Sequence, residues 1–481
     1  MSNKVRTRYA PSPTGFFHIG GARTALFNYL YAKHCNGDFI VRIEDTDIER
    51  NVEGGIDSQL NNLTWLKIPY DESIKNPGKF GPYIQSQKLE RYRELANRLL
   101  QEGKAYYCFC SKEELDLQRE IAMKQGHTPK YNRKCLYLSK EEIQEKLSQN
   151  IPHVIRLKMH DNENIEWDDL IRGHMSVPTS ALTDPVILKS NGIPMYNFAV
   201  VVDDYDMEIT HVLRGEEHLS NTPYQIAIKK ALGFDTREIK YGHLSIIIDE
   251  TGKKLSKRNK TLKQFIQDYK DMGVLPEAIT NFLALLGWSS KSNNEILSMD
   301  EIIKEFDFDR ISKSPAFFDF KKMLWISNSY LKNMNDQDYL TFVKKFLTVD
   351  LNKYAKHKDE ILLIFKPQIQ YGQQINELVA DIFMSDINNL PVELQETVKQ
   401  DFFKKNMQAF KQVISEMDVI TYENAKDIVN NVKQISGLKG KELFLPMRIA
   451  CIGKEHGPEM NKILTIIGKD QILKNIDTLT K

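Results

Sequence analysis

The chain has 481 residues and a mass of 55.8 kDa, which leaves room for about three domains of ordinary size. Hydrophobic residues make up 41% and charged residues 27%, and this composition excludes a disordered, collagenous or coiled-coil protein. The 66 basic and 65 acidic residues nearly cancel, so bulk charge gives no argument for nucleic-acid binding. No apolar run approaches the roughly 18 residues that cross a bilayer, and no signal-peptide core follows Met1. We therefore expect a soluble, cytoplasmic protein that does not contact membranes.

Strand and helix patterns alternate in two separate parts of the chain. The first part favours a strand at 5–9, a turn at 11–15, a helix at 20–34 and a buried parallel strand at 39–43. This order predicts a βαβ unit with a right-handed crossover. The alternation resumes with short apolar runs at 186–188, 198–202, 211–213 and 244–248, and with a helix over 222–232.

The sequence between and after these two parts has a different character. Residues 88–185 contain charged helical sequence, a cysteine cluster and a single predicted strand at 153–159, which indicates an insertion into a split sheet domain. From residue 331 onward glycine and proline become rare, and apolar residues recur at helical spacing. We therefore predict an α/β protein whose parallel-sheet domain carries an insertion and is followed by an all-α region.

The first predicted turn has the properties of an anion site. The segment Arg8-Tyr9-Ala10-Pro11-Ser12-Pro13-Thr14-Gly15 is followed by His18-Ile19-Gly20-Gly21 at the start of a helix. Backbone N–H groups and the positive end of the helix attract an anion there, and His18 adds a donor. Gly20 would let a nucleotide lie flat against the backbone. The structural alternative is a tight turn in which His18 only caps the helix.

A second cationic loop follows the predicted strand at 244–248. Its sequence, Lys253-Lys254-Leu255-Ser256-Lys257-Arg258, places four cations in six residues. Such a loop can neutralise a triphosphate as negative charge moves onto leaving pyrophosphate. The alternative is an ordinary solvated basic turn.

Five cysteines in a long chain give no sign of a disulfide framework. Three of them are grouped, because Cys108 and Cys110 form a C-x-C pair and 24 residues separate Cys110 from Cys135. Three thiolates suit tetrahedral zinc. The alternative is a set of buried reduced thiols.

These motifs, in this order, resemble the bacterial-type glutamyl-tRNA synthetases, which are class I aminoacyl-tRNA synthetases. The resemblance extends from end to end of the chain. It is carried by residues 8–15, 43–47, 196–204, 213–218, 318–325, 440–448 and 456–459, together with the two cationic motifs. It implies a Rossmann-type catalytic domain in two halves, an inserted domain for the tRNA acceptor end, a stem-contact region and an all-α anticodon-binding region. The expected bounds are 1–87 and 186–260 for the two halves, 88–185 for the insertion, 261–330 for the stem contacts and 331–481 for the anticodon region, which we expect to have two subdomains.

The resemblance also implies the reaction and its residues. Glutamate is activated by ATP to an adenylate and then transferred to the terminal ribose of tRNA(Glu), with Mg2+ assisting at the phosphates. The residues implied for glutamate are Arg8, Ala10, Ser12, Glu44, Tyr196 and Arg214. Those implied for ATP are Pro13, Thr14, Gly15, His18, Gly20, His218, Lys254, Leu255, Ser256, Lys257 and Arg258. Among them we expect His18 and Lys257 to be catalytic through phosphate contacts.

Three further expectations come from the same resemblance. The fourth zinc ligand in relatives is often a histidine two places after the third cysteine, where this chain has Tyr137. Relatives that insist on glutamate anticodons tend to carry arginine near Gln368, so a glutamine there indicates an enzyme that also charges tRNA(Gln). A monomer is expected, and activation of glutamate is expected to require bound tRNA.

Three other functions compete with this interpretation. A glutaminyl-tRNA synthetase shares the catalytic plan, but it usually ends in β-barrels. A shortened relative that glutamylates a modified base lacks the anticodon region altogether. A non-enzymatic RNA-binding protein would have lost the active residues, yet His18, Glu44, Arg214 and Lys257 are all present.

Overall fold

The computed structural model describes residues 4–234, 236–255 and 263–481, so Ser256, Lys257 and Arg258 of the cationic loop lie outside the described residues. The chain divides into two units. One comprises Met1–Lys270 with Pro276–Ile326, and the other comprises Asp271–Leu275 with Ser327–Lys481. Within the ranges described, no helix is long and apolar enough to cross a membrane.

A six-stranded sheet organises the first unit. The strands of the chain are β1 (Arg6–Tyr9), β2 (Asp38–Val41), β3 (Ala105–Cys108), β4 (Val154–Leu157), β5 (Asn164–Asp169), β6 (Gly173–Pro178), β7 (Val186–Leu188), β8 (His211–Gly215), β9 (Lys240–Leu244), β10 (Ile247–Ile248) and β11 (Ala316–Phe317). The large sheet has the order β2-β1-β8-β9-β5-β6, parallel throughout except for the antiparallel pair β5–β6. The predicted parallel sheet is therefore confirmed, with one antiparallel edge strand added.

Helices cover the sheet and fill the connections. They are α1 (Ile19–His34), α2 (Gly55–Trp65), α3 (Leu89–Gln101), α4 (Lys112–Lys124), α5 (Lys140–Ser148), α6 (Tyr196–Asp206), α7 (Thr222–Ala231), α8 (Ile266–Met272), α9 (Pro276–Leu285), α10 (Met299–Glu305) and α11 (Phe320–Asn333). Helix α1 joins β1 to its parallel neighbour β2, which is the predicted βαβ unit. The apolar run at 198–202 lies in α6, because a run buried on all sides has no period that separates helix from strand.

The predicted insertion contains more sheet than the sequence indicated. The single predicted strand at 153–159 corresponds to β4, which pairs antiparallel with both β3 and β7 in a separate three-stranded sheet. The hairpin β5–β6 leaves this sheet and extends the large one, since β5 pairs parallel with β9. Strand β5 alternates exposed and buried residues. Its exposed face is polar and charged, so the segment contains no continuous apolar run that would predict a strand.

The second unit is helical, as predicted. Its helices after α11 are α12 (Asp336–Val343), α13 (Lys358–Ile364), α14 (Gln374–Phe383), α15 (Val392–Val398), α16 (Asp401–Ser415), α17 (Ala425–Ser436), α18 (Lys441–Ile452), α19 (Met460–Ile467) and α20 (Lys469–Leu479). Their apolar stripes face inward, where Phe403, Phe410 and Ile463 are fully buried. Helix α17 ends at Gly437, whose φ of +67° is a left-handed conformation that glycine adopts without strain.

The order of parallel strands determines where polar side chains meet. Strands β1, β8 and β9 are neighbours in the sheet, and Arg214 of β8 is in register with His243 of β9. Arg8 lies near the end of β1, which is the strand on the other side of β8. Because parallel strands bring their carboxyl ends to one edge, this edge is where a ligand site is expected in an open α/β sheet.

Candidate active site

A cavity of about 560 Å³ opens at this edge of the sheet, beside the first turn of α1. The structure brings most of the predicted site residues to its wall: Arg8, Ala10, Ser12, Thr14, Gly15, His18, Gly20, Glu44, Tyr196, Arg214, His218, Lys254 and Leu255. Pro13 does not line the cavity. Its carbonyl accepts the backbone N–H of Val52 at 2.8 Å, which anchors the turn to the segment before α2.

His18 begins α1 and lines the cavity at the same time. Its backbone is extended, and its Nδ1 accepts the backbone N–H of Gly21 at 3.2 Å. A ring nitrogen that accepts carries no proton, so the proton of neutral His18 sits on Nε2. The capping hydrogen bond therefore leaves Nε2–H of His18 as a donor for a ligand. His18 can cap the helix and contact a ligand at the same time. A Cβ at Gly21 would lie 2.6 Å from the hydroxyl of Tyr9, so only glycine fits there.

Four buried charged side chains, Arg8, Arg42, Glu44 and Asp204, form a network at one end of the cavity. Arg8 Nε donates to Asp204 Oδ1 at 3.1 Å, and Arg42 Nη1 donates to the same oxygen at 2.7 Å. Arg42 Nη2 donates to Glu44 Oε1 at 2.9 Å. All four residues are buried, and two guanidinium groups balance two carboxylates. Asp203, the neighbour of Asp204, lies 3.6 Å from Arg42 Nε and 2.8 Å from Lys88 Nζ, so a further lysine balances this third carboxylate.

The two carboxyl groups of this network respond differently to burial. Although burial opposes it, the charges of Arg8 and Arg42 lower the pKa of Asp204 below its ordinary value. Burial raises the pKa of Glu44, and Arg42 offsets only part of that effect. Asp204 is thus the firmly ionised partner of the network.

Arg214 has a different environment from Arg8 and Arg42, and it resembles Arg23, which is buried at the same wall and donates to the backbone carbonyls of Leu286 and Ser245. Its side chain is 5% exposed, and its three nitrogens donate to neutral acceptors only: Nε to His243 Nε2 at 3.1 Å, Nη1 to Gln225 Oε1 at 2.9 Å and Nη2 to Thr222 Oγ1 at 2.8 Å. Among the residues described, no carboxylate forms an ion pair with it, although it lines the cavity. A buried guanidinium without an acidic partner is costly, so the cavity is expected to receive an anion.

Tyr196 and His218 contribute neutral polar groups to the same wall. The Tyr196 hydroxyl lies 3.2 Å from His218 Nδ1, and Asn221 Nδ2 lies 3.3 Å from the same nitrogen. Burial and the charge of Arg214 lower the pKa of His218 to about 4. His218 is therefore a neutral ring at physiological pH, and any phosphate contact that it makes is a hydrogen bond rather than an ion pair.

The described part of the cationic loop is a turn built on Asp249. Its Oδ1 accepts the backbone N–H groups of Thr251 at 2.9 Å and Lys253 at 3.2 Å. The backbone N–H of Leu255 then donates to Ile247 at 2.9 Å, which returns the chain to the sheet edge. Lys254 is exposed and lines the cavity, so one cation of the predicted phosphate loop is in place.

Several site residues were not predicted from the sequence. Gln59, Glu217, Ser245 and Ile246 line the cavity. Four further residues do not line the cavity but are buried and make contacts to its lining residues or to one another: Arg42, Asp204, His243 and Asp169. The sequence does contain one signal for them, because Asp203-Asp204 follows a run of buried apolar residues and acidic residues in such a place need partners.

The three grouped cysteines come together in the insertion. The Sγ atoms of Cys108, Cys110 and Cys135 lie within 4.8 Å of one another, and no other such group occurs in the described portion of the chain. Tyr137 does not take the expected fourth place, since it is 78% exposed. The phenol at the thiols belongs to Tyr131, whose hydroxyl lies 3.4 Å from Cys108 Sγ and 3.7 Å from Cys110 Sγ. The 3-10 turn Lys134–Tyr137 buries Cys135 and leaves Tyr137 outward.

A second cleft lies within the helical unit and has a volume of about 480 Å³. Gln368 lines it, together with Phe365, Pro367, His456 and Lys462. Gln368 is exposed, and its backbone N–H closes the turn after α13 onto Phe365 at 3.0 Å. The Phe365 ring is buried, whereas the Gln368 amide and the His456 imidazole are exposed and can form hydrogen bonds with the edges of unstacked RNA bases.

Comparison with known proteins agrees with this geometry. Residues 4–325 match the family described as tRNA synthetases class I (E and Q), catalytic domain, and residues 331–479 match the family described as anticodon binding domain. The chain is thus a class I aminoacyl-tRNA synthetase, an enzyme whose nucleotide fold and helical second unit are the two parts described above.

Full-length relatives narrow the class. The glutamate–tRNA ligase of Malacoplasma penetrans is 56% identical over 98% of this chain and 97% of that protein. The glutamate–tRNA ligase of Ureaplasma parvum serovar 3 is 54% identical over 99% of both. A crystal structure of a glutamate tRNA ligase from Elizabethkingia meningosepticum, in complex with its amino acid, superposes with a TM-score of 0.92 at 34% identity over 99% of both chains. This chain belongs to the glutamate–tRNA ligase family.

Proposed function

We propose that this enzyme activates L-glutamate with ATP to glutamyl-adenylate, releases diphosphate, and transfers the glutamyl group to the 3′ end of tRNA(Glu) with release of AMP. The observation that carries the choice of amino acid is the buried, acid-free guanidinium of Arg214 at the wall of the cavity. Planar two-point pairing with a carboxylate is what a guanidinium does best.

The charges that line the cavity favour glutamate over its amide. Among the described lining residues, the positive charges outnumber the negative ones: Arg8, Arg23, Arg214 and Lys254 against Glu44 and Glu217. This positive excess favours glutamate, whose two carboxylates and one ammonium group give it a net negative charge. Glutamine has no net charge and would leave Arg214 without an anion, so the site should reject it strongly.

Each residue has a proposed part in the reaction. Arg8 and Arg214 bind the side-chain carboxylate with Tyr196 beside them, Glu44 faces the α-ammonium group, and Ala10 and Ser12 hold the ligand from the turn. The donors at the start of α1, chiefly His18 with Thr14, Gly15 and Gly20, bind phosphate oxygens. Lys254, Lys257 and Arg258 add positive charge where diphosphate leaves, and Leu255 and Ser256 belong to the same ATP-binding motif. Mg2+ bound to ATP would neutralise further phosphate charge.

Aminoacylation with defined transcripts tests this function. The purified enzyme should charge tRNA(Glu) with glutamate, should not use glutamine, and should exchange diphosphate into ATP only when tRNA is present. Exchange with glutamate but without tRNA would contradict the proposed tRNA requirement. No charging of any tRNA with glutamate would contradict the function itself.

We also propose that tRNA(Gln) is a substrate, because Gln368 stands at the cleft of the helical unit. A glutamine amide has both donors and an acceptor, so it can satisfy base edges of either polarity. A guanidinium offers donors only, and would select one edge. The comparison of the two tRNAs under equal conditions measures this relaxed specificity.

The variant Gln368→Arg is expected to restrict that specificity. The ratio of kcat/KM for tRNA(Glu) to that for tRNA(Gln) should rise about tenfold, which is the effect of one directed hydrogen bond. Gln337→Arg, an exposed change outside the cleft, serves as the control for added charge. Equal ratios in both variants and the parent would show that Gln368 does not read the anticodon.

We propose that the cysteine group binds a structural Zn2+. The three thiols have the softness and spacing for tetrahedral zinc, and the nearby Tyr131 hydroxyl would supply an oxygen ligand. Since β3 carries Cys108 and pairs with β4, the metal would stabilise the insertion that we assign to the tRNA acceptor end. The reaction itself would not use it.

Metal analysis should find about one zinc per chain. Tyr131→Phe should weaken zinc retention against a chelator about 10- to 100-fold, whereas Tyr137→Phe should leave it unchanged because that ring is exposed. The measurement is a competition titration with a chromogenic chelator. If the purified protein contained no metal, had all three thiols reduced and kept the same melting temperature when zinc was added, the alternative of three buried reduced thiols would be favoured over a zinc site.

A further inference from the structure

The acceptor for Arg214 Nε is a histidine, and only one of its neutral forms can accept. His243 Nε2 lies 3.1 Å from Arg214 Nε, and the Nε proton of an arginine is always present. His243 must therefore keep Nε2 unprotonated and carry its single proton on Nδ1. The Thr222 hydroxyl, 3.1 Å from the same nitrogen and 2.8 Å from Arg214 Nη2, agrees with an accepting Nε2 because it can donate to the ring while it accepts from the arginine.

Asp169 selects this form of the ring. Its Oδ2 lies 2.5 Å from His243 Nδ1, and both side chains are fully buried. A carboxylate accepts only, so the proton is held on Nδ1. Burial lowers the pKa of His243 although Asp169 opposes this, which keeps the ring neutral beside Arg214.

The carboxylate itself is locked in one orientation. Asp169 Oδ1 accepts three backbone N–H groups, from Ile171 at 3.0 Å, Arg172 at 2.9 Å and His243 at 3.2 Å. With Oδ1 occupied in this way, Oδ2 is the oxygen that faces the ring. The hydrogen-bond donations therefore converge on Asp169: Arg214 donates to His243, His243 donates to Asp169 Oδ2, and the backbone N–H groups donate to Asp169 Oδ1.

We propose that Asp169 and His243 are positioning residues that set the hydrogen-bond polarity behind Arg214 and thereby aim its guanidinium at the substrate carboxylate. This inference rests on the proposed function, since it assigns Arg214 to the glutamate side chain. Neither residue lines the cavity, so neither is assigned a contact with substrate. Because the acceptors around Arg214 are neutral, its charge is left for the ligand, which an acidic residue in the place of His243 would not allow.

Asp169→Asn reverses this polarity with almost no change in shape. The three backbone donors keep the amide oxygen at the Oδ1 position, so the amide NH2 takes the place of Oδ2 and donates to His243 Nδ1. The ring proton then moves to Nε2 and faces the Nε–H of Arg214. A wrong imidazole tautomer produced by the same kind of change is highly damaging in serine proteases.

The expected result for Asp169→Asn is a rise of about 10- to 100-fold in KM for glutamate, with KM for ATP and kcat at saturating glutamate within about threefold of the parent. Asp168→Asn is the matched control, because Asp168 is the adjacent residue on the same strand, is 87% exposed and pairs with His174 at the surface. An equal rise in KM for glutamate and ATP, or a rise that parallels a fall in melting temperature, would indicate a merely structural role and would overturn the proposal.

Variants of His243 supply a rescue test that does not depend on Asp169. Glutamine can place an acceptor oxygen near the position of Nε2, whereas leucine cannot. His243→Gln should keep KM for glutamate within about fivefold of the parent, and His243→Leu should raise it about 10- to 100-fold. In the His243→Gln background, adding Asp169→Asn should have little further effect. Equal KM values for the Gln and Leu variants, or full additivity in the double variant, would overturn the proposal.

The tautomer can also be measured without any activity. Nitrogen-15 NMR of the intact enzyme labelled at histidine, with His243→Gln to assign the signal, should show His243 protonated on Nδ1. A signal from the Nε2-protonated ring in the parent would overturn the proposal. If the parent failed to charge tRNA with glutamate, the proposed function would fall while the NMR result still stood. If charging occurred and KM were unchanged in Asp169→Asn, only the positioning role would fall.

Discussion

Replacing Arg214 with glutamine is expected to lower kcat/KM for glutamate about 100- to 1,000-fold, with KM for ATP within about threefold. The buried guanidinium has no acidic partner among the residues described, so its binding energy is available to the ligand. Glutamine at 214 keeps a polar group between Thr222 and Gln225, but it offers no charge to a carboxylate. Steady-state aminoacylation over a range of glutamate concentrations measures the loss.

The same variant should also narrow the preference for glutamate over glutamine, since that preference depends on the charge of Arg214. Arg50→Gln is the control, because Arg50 is 73% exposed and lies outside the cavity. An unchanged kcat/KM in Arg214→Gln, with Arg50→Gln also unchanged, would remove the basis for the proposed choice of amino acid.

Replacing Arg42 with methionine is expected to lower the free energy of unfolding of the catalytic unit by about 3 to 5 kcal/mol at pH 7. Arg42 is 1% exposed and contacts three acidic residues, with 2.7 Å to Asp204, 2.9 Å to Glu44 and 3.6 Å to Asp203. Methionine has a similar volume, so the loss comes from buried carboxylates that no longer have their cation. Urea unfolding followed by fluorescence measures it, with Arg50→Met as the exposed control.

The destabilisation should depend on pH in a defined direction. The pKa of Asp204 is lowered in the folded protein, so its ionic stabilisation is fully present above the ordinary value of about 3.9 and is lost as pH falls through the lower folded value. Glu44 acts in the opposite sense, because its raised pKa makes its ionised form a cost to folding above the ordinary range. In Arg42→Met burial still raises the pKa of both carboxyl groups while the cation that lowers it is gone, so they bind protons at a higher pH than in the parent. The gap in unfolding free energy between parent and Arg42→Met should therefore narrow as pH falls from 7 toward 3.5. A gap that is constant between pH 7 and pH 3.5 would attribute the loss to packing instead.

The sequence patterns of this molecule differ in how much of the fold they predict. The βαβ unit of β1, α1 and β2 was predictable because strand and helix have different periods and a turn of small residues separates them. The run at 198–202 was not, since a fully buried segment is apolar on every side in either form. Strands β3, β5 and β6 were missed because partners far away in sequence define them.

The site shows the same division. Arg8, Glu44 and Arg214 were predicted from the resemblance to glutamyl-tRNA synthetases, and the structure places all three on one cavity. Tyr137 was expected at the thiols by counting from Cys135, yet a short 3-10 turn exposes it and Tyr131 lies there instead. Asp169 and His243 carry no local signal, since an Asp at the end of a hairpin strand and a His in a buried strand are ordinary residues until β5 and β9 pair.

By itself the amino-acid sequence determined the class of fold, the helical character of the second unit and the residue types at the cavity, because these depend on local period and on short motifs. The tertiary structure alone decided which charges are neutralised and which are left over. Arg8 and Arg214 are chemically identical in the sequence, but the fold gives one an aspartate and the other only neutral acceptors. Electrostatic interaction falls with distance and strengthens with burial, and both quantities come into existence only when the strands assemble.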